Sequence, residues 1–113
     1  MLLLNFKRVT NFKMAAIKLN ADFSFAIESD KKRARLIVYK GGVENVCRKE
    51  SFKKLGQFIR SGEGRIFRGR LQLSKNQAGI AVEVMGKIEG MINVDDFINC
   101  LETAETPANL SSL

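Results

Sequence analysis

Apolar and polar positions alternate along most of this chain, and the period changes twice. Phe12, Met14 and Ala16 alternate with Lys13 and Ala15 before the phase slips to Ile17 and Leu19, which predicts a strand with a bulge or bend. Phe23, Phe25 and Ile27 share one face of the next strand, with Ser24 and Ala26 on the other. The turn Ser29-Asp30-Lys31-Lys32 leads into ARLIVYK (34–40), where Leu36 and Val38 face one way and Ile37 and Tyr39 the other. Gly41-Gly42 predicts a tight hairpin into VENVCRK (43–49).

The first change of period comes at Phe52. Phe52, Leu55, Phe58 and Ile59 recur at helical spacing, with Ser51 placed to cap the helix and Gly62 to end it. Alternation returns in Phe67, Leu71 and Leu73, then in Ile80, Val82 and Val84, then in Ile88, Ile92 and Val94. It gives way to a second helix, marked by Val94, Phe97, Ile98 and Leu101 behind Asn93 as N-cap. Asp95 and Asp96 suit the positive end of that helix dipole. Residues 105–113, with the only proline, read as a flexible tail.

The order of elements repeats. At an offset of 45, YKGGVENVCRKESF (39–52) lies over VMGKIEGMINVDDF (84–97), matching Gly41 to Gly86, Glu44 to Glu89 and Phe52 to Phe97. The expected fold is α+β: a tandem antiparallel β-sheet plus helix repeat, with three or four strands and then a helix, twice. Half-repeats at about 12–62 and 63–104 would form one domain, 1–104, each helix packed on the apolar face of its sheet.

Charge adds a functional direction. Residues 1–75 hold 18 of the 19 Lys and Arg with 6 of the 12 acids, an excess of +12, whereas residues 76–113 carry −5. These cations lie in and between predicted strands, interleaved with Phe and Tyr, as a flexible polyanion would require. Phosphates need cations along their path and unstacked bases need flat side chains. One cluster is Lys31, Lys32, Arg33 and Arg35 with Tyr39 and Lys40; the strand turns Arg33, Arg35 and Tyr39 to one face. Its bland reading is a solvated basic turn with Tyr39 at the rim of the core. The other cluster is Arg65, Phe67, Arg68, Arg70 and Lys75, with Arg68 and Arg70 on one face, Phe67 and Leu71 on the other, and Ile66 exposed beside the arginines. Phe67 there reads as core more readily than as a stacking platform. Phe23 and Phe25 also read as core, and Lys53, Lys54 and Arg60 as the wet face of the first helix.

The segments FSFAIESDKKRARLIVYKGGVENVCRKESFKKLGQFI (23–59) and FRGRLQLSKNQAGIAVEVMGKIEGMINVDDFINCL (67–101) carry a resemblance. Basic and aromatic residues alternate along strands, a glycine turn follows, and a helix opens on Ser or Asp just before Phe. This resembles the Whirly and PUR families and their relatives among the eukaryotic positive-cofactor coactivators. The resemblance implies binding of single-stranded DNA or RNA on the sheets and association through the helices. The chain is shorter than plant Whirly domains and lacks their lysine-rich strand peptide.

Other classes find little in the sequence. Histidine is absent, Cys47 and Cys100 lack metal-ligand spacing, and no glycine loop ends in Gly-Lys-Ser/Thr. The expectation is therefore no enzyme, no cofactor or metal, and no small-molecule substrate. No apolar run approaches the roughly 20 residues of a membrane span. The basic N-terminal 20 residues resemble a transit peptide only loosely, and a first strand is the simpler reading. The expected location is cytoplasmic or nucleoid/nuclear, with an organelle as the alternative. The two cysteines read as buried thiols of a reducing compartment. The expected function is single-stranded nucleic-acid binding of low sequence specificity in replication, recombination or transcription, with DNA favoured by the resemblance. A basic adaptor for an acidic protein and a duplex or RNA shape reader are the alternatives. Open sheet edges add the expectation of a homo-oligomer.

Overall fold

The computed structural model describes residues 16–105. The strand expected over 12–15, the basic run before it and the tail after Glu105 lie outside the described residues. Strands β1 (Ile17–Lys18), β2 (Phe23–Asp30), β3 (Arg33–Lys40) and β4 (Val43–Ser51) form one antiparallel sheet in that order. Helix α1 (Phe52–Arg60) follows. Strands β5 (Gly64–Ile66), β6 (Leu71–Asn76), β7 (Gly79–Val84) and β8 (Lys87–Ile92) form the second sheet, and helix α2 (Val94–Glu105) follows it. The fold is α+β and consistent with a tandem repeat.

Tight hairpins account for this meandering order. Gly41 and Gly42 both adopt positive φ, at 60° and 83°, which gives the turn whose twist matches the flanking strands. Met85 and Gly86 adopt a similar pair of angles, 51° and 85°. Lys40 pairs with Val43 and Val84 with Lys87, so the two hairpins are related by an offset of 44. Each hairpin also has a bulge. Asn45 is the extra residue in β4, between the partners of Val38 and Tyr39; Glu89 is the extra residue in β8, between the partners of Val82 and Glu83.

The helices follow a different offset. Ser51 caps α1 by accepting the Lys54 N–H at 3.1 Å, and Asn93 caps α2 by accepting the Asp95 N–H at 2.7 Å. These caps lie 42 apart, so buried Leu55 and Phe58 correspond to buried Phe97 and Cys100. Strand β4 has 9 residues and β8 has 6. An ungapped offset of 45 cannot absorb that shortening, so Phe52 and Phe97, identical in sequence, are not equivalent in the fold.

The inward faces of both sheets and the helices share one core. Phe25, Leu36 and Val38 meet Leu73, Ile80 and Val82, with Leu55, Phe97 and Leu101, in a continuous buried cluster. Helix α2 lies chiefly against β2 and β3 of the first sheet and against α1. There the Phe97 ring stacks on Phe25, centroids 5.8 Å apart, with both side chains 0% exposed. The segment after β1 ties the first sheet to the second: Asn20 Nδ2 donates to the Glu89 carbonyl at 2.8 Å. Leu19 crosses Gly90 so closely that a Cβ there would lie 2.9 Å from the Leu19 Cβ.

Several local expectations are corrected. Gly62 does not close α1 through a left-handed turn; extended Ser61 does, its N–H bonding the Gln57 carbonyl at 3.1 Å. The strand expected from Phe67 is broken, because Phe67 and Gly69 take φ of 76° and 95° and β6 begins only at Leu71. Only one cysteine is the buried thiol expected: Cys100 is buried in α2, but Cys47 stands exposed on the outer face of β4, and both are free. Among the described residues no helix is long and apolar enough to cross a membrane.

Candidate nucleic-acid interface

Strand β3 turns Arg33, Arg35, Ile37 and Tyr39 to the outer face of the first sheet. Cross-strand neighbours share that face. On β2 these are Asp30, Glu28, Ala26 and Ser24; on β4 they are Ser51, Lys49, Cys47 and Glu44. Three acids therefore stand among the cations. Arg35 donates through Nη1 to Glu28 at 2.8 Å and through Nη2 to Glu44, while Lys49 pairs with Asp30 at 2.9 Å.

This clasp spans three strands and balances the face electrically. Hydrogen bonds donated to Glu44 and then to Glu28 raise the Arg35 pKa beyond its ordinary value. Arg35 in turn holds the Glu44 carboxyl below the usual carboxylate range, helped by a hydrogen bond from the Cys47 thiol. Lys49 does the same for Asp30. Arg35, expected to meet phosphate, is instead committed to two carboxylates, and Tyr39 sits half-buried between Ser24 and Glu44.

The structure concentrates unbalanced positive charge at the margin of this face and beyond it, around the end of β4 and the start of α1. Lys31, Lys32 and Arg33 are exposed and border an open hollow of about 430 Å³ with Lys49 and Asp30. Among the described residues, none of the three forms an ion pair. Lys31 holds its position at a positive φ of 61°, unusual for a residue with a Cβ. Because successive β4 side chains point to opposite faces, Lys49 borders this hollow while Arg48 and Glu50 border another.

The second hollow, about 610 Å³, is walled by Arg48, Lys54, Arg65 and Arg68, with Phe67 at its base. The Arg48 guanidinium lies 4.8 Å from the centroid of the Phe67 ring and donates to the Arg68 carbonyl. Phe67 packs against the core beneath it. Arg65 bonds Gln72 and reaches Glu83 at 3.3 Å, and the Glu50 carboxylate takes the Ser51 N–H at 2.8 Å. Arg68 and Arg70 are exposed and make no ion pair among the described residues.

Two remaining candidates lie apart. Lys75 points to the inner side of its sheet, donating to the Ser61 carbonyl at 2.6 Å, so it fastens the loop before β5. Lys40 sits at the far end of β3, 5.6 Å over the Phe23 ring. Ile66, expected to be exposed, packs on the core because it faces Leu73 on the inner side. Arg48 and Lys54 are the residues that sequence reasoning missed. The signal was the run RKESFKK (48–54), which crosses from strand to helix and spreads its cations to both sides of the junction.

Among the described residues no group of three or more His, Cys, Asp or Glu is placed to hold a metal ion. Comparison with protein-family models, with curated proteins and with solved structures finds no match to this chain.

Proposed function

We propose that this protein binds single-stranded nucleic acid with little sequence preference, its phosphates running over the corner where β4 meets α1. The observation that carries the reading is the pair of cationic hollows flanking that corner, with Lys31, Lys32 and Arg33 on one side and Arg48, Lys54 and Arg68 on the other. Helix α1 reinforces it: its first turn has no acid and carries Lys53 and Lys54 at the positive end of the dipole, an arrangement that favours a bound anion. Spacing on both sides of a strand suits a flexible backbone that bends, rather than the rigid cylinder of a duplex. DNA is the preferred form on the resemblance to Whirly and PUR proteins, which also suggests work in replication, recombination or transcription and assembly into oligomers.

Fluorescence anisotropy of a labelled oligo-dT at several salt concentrations, with duplex competitor, tests this. Binding should weaken as salt rises, with a log–log slope of about −0.7 for each phosphate neutralised, and duplex should compete poorly. Affinity that ignores salt would overturn the reading. Equal competition by duplex would replace it with a shape reader, and weak generic binding would replace it with an adaptor for an acidic protein.

A further inference from the structure

The tips of the two equivalent hairpins come together at the other end of β3, far from the cationic corner. Phe23, Lys40 and Asn45 from the first half face Met85, Lys87 and Glu89 from the second across an open niche of about 250 Å³. From its geometry we propose that this niche receives one unpaired nucleobase of the bound strand, an inference that rests on the function proposed above.

Three features point to a base with its phosphate. The first is Met85, whose equivalent in the other hairpin is Gly41; both occupy the left-handed region, at φ of 51° and 60°. Glycine takes that conformation without cost, whereas a side chain there is strained. Met85 nevertheless stands there with 59% of its surface exposed. A strained backbone that holds a large apolar group in water marks a contact surface, and a thioether packs well against flat rings.

The second feature is Asn45. It is the bulge residue of β4, left without a cross-strand partner, and bulges re-aim side chains at functional sites. Its exposed amide offers both a donor and an acceptor, which is what a base edge presents in return. The third is the cation arrangement. The Lys40 ammonium lies over the Phe23 ring, so an arriving base takes its place on the ring and the displaced ammonium, on its flexible stem, meets the adjoining phosphate. Lys87 supplies a second cation at the mouth. Glu89 is already engaged, its carboxylate and carbonyl both accepting from Asn20.

The test compares three probes, an oligo-dT, the same strand with abasic sites and inorganic polyphosphate, against the wild-type chain, Met85→Gly and Asn45→Ala. Met85→Gly installs the residue that the equivalent turn already carries, so the hairpin keeps its conformation. Each substitution is expected to weaken oligo-dT binding by about fivefold or more, the lower end of one stacked base, while abasic strand and polyphosphate bind as before. Unchanged oligo-dT affinity in both variants, with wild-type binding intact, overturns the niche and leaves the proposed function standing. Equal losses on all three probes also overturn it, since phosphate rather than base would be the group held. Failure of the wild-type chain to bind any strand removes the function and the niche together. Met85→Leu retains apolar surface at the tip and should recover most of the missing affinity.

Discussion

Arg35 and Lys54 carry the same charge with opposite consequences. Arg35 is held by Glu28 and Glu44, whereas Lys54 stands in a hollow with few acids to answer it. Replacing Arg35 with Met should leave the salt slope of oligo-dT binding unchanged. The Lys54→Ala, Arg68→Ala pair should flatten it by about 0.7 for each phosphate no longer neutralised. Core residues follow more familiar rules: Phe97→Ala empties the space against Phe25 and should cost about 3–5 kcal/mol in urea unfolding. Period-two alternation is enough to mark Phe25, Leu36 and Val38 as core. It also sets Arg33, Arg35 and Tyr39 on one face correctly. What alternation cannot show is which strands lie alongside, and therefore that Glu28 and Glu44 reach the same guanidinium. Alternation also misplaces Ile37, which faces outward yet is 0% exposed.

Single elements are readable where their chemistry is local. The two-glycine turn, the Ser51 and Asn93 caps and the apolar stripe of α1 depend on near neighbours in sequence and are found where the pattern put them, whereas in α2 Cys100 and Ala104 are buried with Phe97 and Leu101 while Ile98 is left half-exposed. Ser51→Ala should therefore cost about 1 kcal/mol by leaving the Lys54 N–H without its cap. The loop from Phe67 to Arg70 is illegible in sequence, because a left-handed Phe is held by contacts with Arg48, far back in the chain. The clasp across β2, β3 and β4 makes a further prediction about pH. Glu44 and Asp30 titrate below their ordinary values in the folded protein, so folding favours their ionised forms. Their contribution is fully present above the ordinary carboxylate range and is lost as pH falls through the lowered values. The urea midpoint, followed from neutral pH downward, should begin to drop only below about pH 4–5. Glu44→Gln should remove part of that acid sensitivity.

At the scale of the molecule, the doubled sheet-and-helix order is visible in the sequence, but not how its halves close on one another. The last helix reaches back to the first sheet, and Phe25 meets Phe97. The same tie is made at the other end, where Asn20 bonds Glu89. A chain ending before Val94 should consequently lack the near-ultraviolet signature of packed aromatics, even though it retains β1 to β8. Closure of this kind also sets a schedule for synthesis. Emerging from the ribosome, the opening meander must wait, its greasy side bare, until α2 has also been made. During that interval a chaperone, or crowding by identical nascent chains, decides between a finished molecule and an aggregate.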